Sequence, residues 1–258
     1  TLVQQKVAAG EAALDEEEFS KALGLFAEAE GIAEKRTALR SLYAETRKRR
    51  KNVEEVLATQ RQFIEIANEI NVKMDDFRAD AFDTDYLAAR DLGRDIRDTF
   101  IASGWRDRLK ESGNGTTEGI DPDRIQQFRE TMAEALILLA RSEDFVAPAD
   151  KKDESRREAI RLLDEAEKLA QPRWAICRMR ADFYRALGEL ELEKREKTRL
   201  EDLAPHSVID WVLQGILARQ RGNIAEAIEY FKRALQEKPD DYFVHLQLAY
   251  LYYQLGFA

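Results

Sequence analysis

Apolar and small residues recur along the last third of this chain with a period of 34 residues. Gly188, Gly222 and Gly256 lie at that period. Other small or aromatic residues keep fixed distances before these glycines, seven residues for Ala181, Gly215 and Ala249, and four for Tyr184, Ala218 and Tyr252. Small residues let two helices approach closely, and glycine permits the tight turn between them. The pattern therefore predicts stacked pairs of helices.

The segment from 208 to 241 holds the most complete copy of this unit. The residues that define it are Trp211, Gly215, Gly222, Ala227, Phe231, Ala234 and Pro239. Together they resemble the tetratricopeptide repeat (TPR), which implies helix pairs that stack side by side and line a concave groove with their first helices. The unit at 174–207 keeps Pro205 but has Glu193 and Leu200 where the pattern has alanine. We therefore expect its second helix to pack less closely.

The N-terminal part shows the same pattern once, followed by a much longer helical segment. The residues that reproduce the repeat from 3 to 36 are Gly10, Ala13, Phe19, Ala22, Phe26 and Ala29. Residues 37–80 contain neither proline nor glycine, and their apolar residues alternate at three and four positions, which predicts one long helix. That helix either packs against a helix at 84–103, capped by Asp83 or Asp85, or pairs with a second copy as a coiled coil.

A further helix is predicted to begin at Asp121 and Pro122 and to end near Ser142. Its apolar residues should be buried: Met132, Ala135, Leu136, Leu138 and Leu139. A glycine-rich loop at 111–121 precedes this helix, and a linker from Phe145 to Lys152 separates it from a helix at 154–170. One repeat is therefore predicted to be stretched by an insertion.

These elements predict an all-α chain, a TPR-like helical repeat superhelix (α-solenoid) with long inserted helices in the N-terminal half. We expect a TPR-like helix pair at 1–36, a long helical hairpin at 37–110, a degenerate TPR-like pair with an insertion at 121–173, and a TPR array at 174–258. The array would hold two full units and the first helix of a third. Because the chain starts without methionine and stops inside a repeat, we expect a fragment whose last helix associates with a second copy of the chain.

Composition narrows the chemistry that the chain can perform. The 258 residues carry a net charge of −9, with 35% charged and 44% hydrophobic residues. A single cysteine, Cys177, excludes an internal disulfide framework and a cysteine-rich zinc site, and we expect its thiol to be packed. We expect His245, in the same repeat column, to be packed or half-buried and not a metal ligand. His206, Ser207 and Asp210 include the residue types of a catalytic triad, but capping of a helix explains Ser207 and Asp210. We therefore expect no catalytic residue, cofactor or metal site.

The sequence also bears on location and on a rival function. It has no apolar run long enough to span a membrane and no signal-peptide pattern, so we expect a cytoplasmic location, or an extracytoplasmic one if a membrane segment precedes Thr1.

The basic run from Arg47 to Lys51 is the alternative functional feature, since it could bind nucleic acid or an anionic surface. The acidic net charge and the neighbouring Glu54 and Glu55 favour a solvated helix face instead.

The TPR resemblance places the candidate binding surface on the first helices of the array. The side chains expected to point into the groove are Arg178, Asp182, Arg185, Ile209, Val212, Ile216, Arg219, Phe243, Gln247, Tyr250 and Tyr253. Family members that hold a chaperone's C-terminal carboxylate use asparagine, lysine or arginine where this chain has Leu213 and other non-basic residues. We therefore expect an apolar or aromatic-bearing protein segment as the partner. Alternatively, the same side chains pack against a neighbouring segment of this chain.

A looser resemblance spans several elements in order. The segments 135–142, 159–166, 178–184 and 209–215 are similar to the repeat region after the catalytic domain in planctomycete-type serine/threonine kinases. This resemblance implies a bacterial signalling protein whose repeats sense or dock a partner. The chain has no Asp-Phe-Gly motif and no histidine followed by Arg-Asp, so any phosphotransfer would belong to other parts of the parent protein.

Overall fold

The computed structural model describes residues 2–15, 18–34, 40–82, 85–110, 117, 119–171 and 173–256. Every regular element within these residues is helical, which confirms the predicted all-α fold with TPR-like helix pairs. Asp83, Pro172 and most of the predicted loop at 111–121 lie outside the described residues.

The helices are numbered in chain order. They are α1 (Leu2–Asp15), α2 (Phe19–Glu34), α3 (Arg40–Phe82), α4 (Tyr86–Ala102), α5 (Trp105–Lys110), α6 (Pro122–Val146), α7 (Lys152–Leu169), α8 (Trp174–Ala186), α9 (Leu190–Asp202), α10 (Val208–Gln220), α11 (Ile224–Glu237) and α12 (Tyr242–Gln254). The chain forms two compact units, one of Thr1–Glu69 with Gly104–Ile125 and one of Ile70–Ser103 with Gln126–Ala258. The boundaries between the units fall inside α3, between α4 and α5, and inside α6. The division of the chain into the four segments expected from the sequence stays a prediction.

In the first unit, α1 and α2 pack through a glycine and a phenylalanine. A methyl group added to Gly10 would lie only 2.7 Å from Cε1 of Phe26, so this approach of the two helices requires glycine. The same core contains Ala22 and Ala29 of α2 and Val53 of α3. The N-terminal part of α3 therefore buries its apolar residues against the α1–α2 pair.

In the second unit, α10 and α11 repeat this contact. A methyl group added to Gly215 would lie 2.9 Å from Cε1 of Phe231. Both residues lie 205 positions after Gly10 and Phe26, and Ala227 has the same relation to Ala22. The two helix pairs therefore share one packing arrangement, as the repeated pattern in the sequence indicates.

The period-34 glycines end the first helices of the pairs. Gly188, Gly222 and Gly256 have φ values of +75°, +79° and +78°. Side chains disfavour this left-handed backbone, whereas glycine adopts it without steric cost. After α8 and α10 the next helix begins two residues beyond the glycine, at Leu190 and Ile224. The predicted role of these glycines in tight turns is confirmed.

We expect Gly222→Ala to lower the free energy of unfolding by about 1 kcal/mol, because alanine is strained at this positive φ. The effect would be conformational, since nothing lies within 4 Å of the added methyl group. Gly24→Ala is the matched control, because Gly24 lies on the exposed side of α2 and its methyl group would also contact nothing. There alanine should stabilise by about 0.5–1 kcal/mol. Urea unfolding of both variants checks this, and a shift of the same sign in both would contradict it.

Helix α6 is buried on all sides along its C-terminal half. The predicted apolar cluster is buried, and so are Ile137 between its members and Ala140 and Ser142 directly after it. A helix that is apolar all round must be surrounded by protein. The predicted end near Ser142 was wrong, because α6 continues to Val146 and α7 starts at Lys152. The extra length of this repeat therefore lies in helix α6.

The C-terminal part of α3 packs against α4 within the second unit. A methyl group added to Gly93 of α4 would lie 2.6 Å from Cζ of Phe77, and Lys73 Nζ lies 2.7 Å from Asp95 Oδ2. Asp85 caps α4, since its Oδ1 accepts a hydrogen bond from the backbone N–H of Ala88 at 3.1 Å. These contacts support packing of the long helix within one chain over coiled-coil pairing between copies.

Ion pairs support the α8–α9 pair, in which glutamate replaces an expected alanine. Glu193 Oε1 accepts from Arg185 Nε at 2.7 Å and lies 2.7 Å from Lys197 Nζ. Arg180, buried on α8, reaches two carboxylates of α7, Asp164 at 2.5 Å and Glu167 at 2.7 Å. This degenerate repeat therefore uses charged contacts where α10 and α11 use small apolar residues.

Candidate functional site

An open cleft of about 230 Å³ lies between α6, α8 and α10 in the second unit. Its lining residues are Arg141, Asp144 and Phe145 of α6, Arg178, Met179, Asp182 and Phe183 of α8, and Leu213, Ile216, Leu217 and Gln220 of α10. Because α8 and α10 are the first helices of their pairs, the cleft lies on the side where the sequence places the groove.

The floor of this cleft is apolar. Phe183, Leu213 and Ile216 are buried in it. Phe145 stands at the edge with 48% of its surface exposed, and its ring stacks on that of Tyr86 with 4.1 Å between the ring centres. A partner's apolar side chain placed on such a surface would lose contact with water, which favours binding.

Three of the charged side chains that line the cleft, Arg178, Asp182 and Asp144, lie beside an opposite charge of the same chain. Arg178 Nε donates to Asp182 Oδ2 at 2.9 Å, and Asp182 Oδ1 lies 3.4 Å from Arg185 Nη1. On α6, Asp144 Oδ1 accepts from Arg156 Nε at 3.2 Å. Because these charges already have opposite charges beside them, they attract a charged ligand weakly. The cleft therefore favours an uncharged, apolar group.

Arg141 fixes the wall of the cleft that faces α4. Its guanidinium carbon lies 5.7 Å from the ring centre of Tyr86 and 5.5 Å from that of Phe145, within the range of cation–π contacts. Burial lowers the pKa of Arg141, and the positive charge of Arg219 acts in the same direction. The side chain thus holds the Tyr86 and Phe145 rings in place from the protein side.

The structure separates the eleven predicted groove residues. Arg178, Asp182 and Ile216 line the cleft, whereas Arg185, Tyr250 and Tyr253 are exposed outside it. The remaining residues lie inside the protein: Ile209, Val212, Phe243 and Gln247 are buried, and the half-buried Arg219 donates a hydrogen bond to Gln247.

The long helix α6 lies on this side of the array, next to α8 and α10. Its C-terminal part shares the cleft with Ile216, and its N-terminal part lines a second, polar cavity together with Ile209. The C-terminal half of α6 is buried on all sides, so other parts of the chain surround it there. Ile209, Val212, Phe243 and Gln247 are buried within the chain, which agrees with the alternative prediction that groove residues pack against another segment of the same chain.

The part of the cleft on α6 was missed from the sequence. Arg141 lies in the predicted helix, whereas Phe145 begins the stretch that we expected to be a linker and Asp144 directly precedes it. The available signal was Pro148, because proline commonly follows a helix end by one or two residues, and α6 ends at Val146.

Residues 218–256, which include the end of α10 and all of α11 and α12, match a family model described as a tetratricopeptide repeat. Over these residues the chain is similar to a tetratricopeptide repeat. The matched residues include Gly222 and Gly256, two of the three glycines that recur at the 34-residue period. No curated protein matches the chain.

Two solved TPR structures are similar to the chain at low identity. A thermophilic TPR protein from Thermus thermophilus is 16% identical, with 96% of this chain and 98% of that chain covered and a TM-score of 0.32. A TPR protein from Parabacteroides merdae is 13% identical, with 97% and 98% covered and the same TM-score of 0.32. Similarity at this level of identity and TM-score carries no information about the binding partners of the chain.

The start of α10 is tied to α8 by the buried carboxylate of Asp210. Ser207 caps α10 as predicted, since its Oγ accepts from the backbone N–H of Asp210 at 3.3 Å. The predicted return contact of a capping box is replaced, because Asp210 instead accepts from the N–H of Ala175 at 2.8 Å and of His206 at 3.3 Å. Ser207 and Asp210, two of the residues with the side-chain types of a catalytic triad, therefore stabilise the start of α10 and its packing. Through its hydrogen bond to Ala175, Asp210 also holds α10 against α8, and both helices line the cleft.

The basic run is partly neutralised inside the first unit. Arg50 Nε lies 2.6 Å from Glu30 of α2, and Arg47 lies 3.9 Å from the same carboxylate. Arg49 pairs with Glu11 of α1 and, at 2.8 Å, with Glu45. Three of the five cations therefore hold α3 against the α1–α2 pair, which weakens the nucleic-acid interpretation.

The other candidate residues have ordinary surroundings. Cys177 is buried as predicted, and burial raises the pKa of its thiol to about 12. The expectation for His245 was wrong, because it is exposed, with Nε2 2.8 Å from the carbonyl oxygen of Pro239. Within the described residues, no cluster of three or more histidine, cysteine or carboxylate side chains is arranged to hold a metal ion. None of the described helices has the length and apolar content needed to cross a membrane.

Proposed function

We propose that the chain is a non-catalytic scaffold that binds a protein segment in the cleft between α6, α8 and α10. TPR folds generally mediate protein–protein interaction, and the chain carries such a repeat. The observation that carries the proposal is the exposed ring of Phe145 beside an apolar floor in a concave surface. Concave apolar surfaces with a few polar groups at the edge are the usual form of a binding site.

The chemistry of the cleft defines the bound group. A volume of about 230 Å³ suits one aromatic or branched aliphatic side chain better than a folded surface. Because Arg178, Asp182 and Asp144 are paired within the chain, the partner should contribute apolar contacts first and backbone hydrogen bonds second. Binding should accordingly depend weakly on salt.

The proposed biological setting is a signalling protein linked to a serine/threonine kinase. The support for it is the resemblance of the segments at 135–142 and 159–166, among others, to the repeats that follow kinase domains. In that setting the cleft would recruit or sense a partner for a catalytic domain elsewhere in the parent protein.

Peptides selected from a displayed random library against the purified chain test the cleft. We expect the selected peptides to share an aromatic or branched apolar residue. Phe145→Ala should weaken their binding about tenfold, since losing part of a buried aromatic contact costs about 1.5 kcal/mol or more. Fluorescence polarisation measures this, with circular dichroism to check that the variant is folded.

The matched control is Leu190→Ala, which removes an equally apolar, exposed side chain of α9 outside the cleft and should leave binding unchanged. Between about 0.05 and 0.5 M salt, the affinity should change only a few-fold. A steep fall over that range, abolished by neutralising Arg47 to Lys51, would replace the cleft with the basic run as the binding site.

A further inference from the structure

A second cavity, of about 470 Å³, lies in the second unit beside the N-terminal part of α6. It is bounded by α6, the residues just before α8, the start of α10 and the end of α11. Most of its lining residues are polar or charged, in contrast to the apolar floor of the cleft. Its volume lies in the range of roughly 300–1,000 Å³ that is usual for small-molecule sites.

The feature of this cavity that points to a ligand is Arg173, a buried arginine. Only 7% of its surface is exposed. Among the described residues its side chain has neither a hydrogen bond nor an ion pair. The charge of Arg173 acts on Glu134 in the same cavity, but both oxygens of that carboxylate are already bound by Arg78, at 2.7 and 2.8 Å. Because a buried charge without a contacting partner is costly, the cavity favours an anionic group from a ligand.

Two helices begin at this cavity and add to its positive potential. Arg173 directly precedes α8, and residues 207–209 form the start of α10. The first N–H groups of a helix have no acceptor within the helix, and its N-terminal end carries a partial positive charge. The buried carboxylate of Asp210 takes up one of these groups, the N–H of Ala175. The inner end of the cavity therefore combines a buried arginine with two helix starts, and both favour an anion.

The open end of the cavity carries the opposite charge. Glu130 of α6 and Glu237 of α11 line it and are exposed. Glu130 accepts a hydrogen bond from Gln126 Nε2 at 3.0 Å, whereas the Glu237 side chain has no such bond and no ion pair with any described residue. These carboxylates would repel a simple anion, but they would attract a ligand that also carries a cationic group.

We propose that this cavity binds a small zwitterion of the amino-acid type. The ligand's carboxylate accepts hydrogen bonds from the guanidinium of Arg173, whose planar donors match the two oxygens of a carboxylate. Its ammonium group lies toward Glu130 and Glu237. This site goes beyond the proposed scaffold function. It shares no lining residue with the cleft between α6, α8 and α10, so either proposal can fail without the other.

Saturation-transfer NMR of the purified chain with each common L-amino acid at about 1 mM tests the site. We expect at least one amino acid to bind, and calorimetry then measures its affinity. The methyl ester of that amino acid lacks the carboxylate charge, and its N-acetyl derivative lacks the ammonium charge. Each derivative should bind at least several-fold more weakly than the free amino acid, and acetate should bind more weakly still.

Arg173→Met tests whether Arg173 holds the carboxylate. The variant should bind the free amino acid about tenfold more weakly, or worse, because hydrogen bonds to a charged group are lost. It should also no longer distinguish the free amino acid from its methyl ester, which a merely structural role of Arg173 would not explain. Arg195→Met is the matched control, since Arg195 is an exposed residue of α9 outside the cavity, and it should bind like the parent chain. Circular dichroism shows that each variant is folded.

Glu237→Gln tests the open end of the cavity at an exposed position, where the fold is not at risk. It should weaken binding of the free amino acid a few-fold and leave binding of the N-acetyl derivative unchanged. Glu229→Gln, on the same helix but outside the cavity, is the control. The proposal is overturned if no amino acid binds the parent chain or if acetate binds as tightly as the best of them. It is also overturned if Arg173→Met leaves the affinity and the preference over the methyl ester unchanged.

Discussion

Replacing Phe231 with alanine should lower the free energy of unfolding of the second unit by about 3–5 kcal/mol. The phenylalanine is completely buried between α10 and α11. Its ring lies against the backbone of α10 at Gly215, where no side chain could move in to fill the space. The variant therefore loses the burial of the ring and gains a cavity that the surrounding helices cannot close.

The coupling of Phe231 to Gly215 makes this prediction specific. Gly215→Ala alone should also destabilise, by about 1–3 kcal/mol, because its methyl group would overlap the ring. In the double variant the overlap is absent and the methyl group takes up part of the cavity, so the two losses should not add. Urea unfolding of the two single variants and the double variant measures this, and strict additivity would show that the two residues are not in contact.

Leu190→Ala provides the baseline for these measurements. Leu190 is an exposed residue of α9, so its replacement should change stability by less than about 0.5 kcal/mol. Phe26→Ala extends the test, since the shared packing arrangement predicts a comparable loss in the first unit. An unchanged stability of Phe26→Ala would mean that the two helix pairs are alike in sequence only.

The repeated helix pairs could be predicted because their contacts are local. Gly215 and Phe231 lie 16 positions apart, and so do Gly10 and Phe26, so a fixed spacing in the sequence reports a fixed contact. The same holds for the positive φ of the period-34 glycines. Contacts at a fixed spacing produce a periodic pattern in the sequence, and this pattern is sufficient to predict the all-α repeat fold.

The surface of the groove could not be predicted in the same way. A TPR pattern places Ile209 and Ile216 on the concave side, but it does not say that another helix of the chain lies there. That helix is α6, and its contacts span long and irregular separations in sequence. The unbroken apolar run from Ala135 to Ala140 was the usable sign, because such a helix has no side to turn toward water.

The ion pairs that join the long helices to α6 could not be predicted from the sequence either, because they too connect residues far apart in the chain. Arg78 of α3 binds Glu134 of α6 through two hydrogen bonds, Nε to Oε1 at 2.7 Å and Nη2 to Oε2 at 2.8 Å. The two residues lie 56 positions apart and neither belongs to a repeat column. Their side chains are only 18% and 14% exposed, so this two-bond pair lies largely out of water.

Glu134→Ala should lower the free energy of unfolding by about 3 kcal/mol, because it removes the carboxylate but leaves the Arg78 charge buried. Arg78→Ala should cost a similar amount, although Glu134 would keep the more distant charges of Arg173 and Lys238. Replacing both at once, as Arg78→Met with Glu134→Leu, should restore most of the loss, since no charge is then left unpaired. A double variant as unstable as the two single losses added together would show that the pair does not act as a unit.

The contribution of the Arg78–Glu134 pair should also appear in the pH dependence of the free energy of unfolding. Burial raises the pKa of Glu134, but the hydrogen bonds and charge of Arg78 outweigh this effect and hold the pKa below its usual value. A carboxyl group whose pKa is lower in the folded than in the unfolded state stabilises the fold above the unfolded pKa, and this contribution is lost as the pH falls through the folded pKa. The parent chain should therefore lose stability below about pH 4.5. The Arg78→Met, Glu134→Leu variant should lose less over the same interval in urea unfolding. Equal acid sensitivity would place the responsible carboxylates elsewhere, such as Glu167, whose pKa is also lowered although burial alone would raise it, because Arg180 and Arg199 bind it.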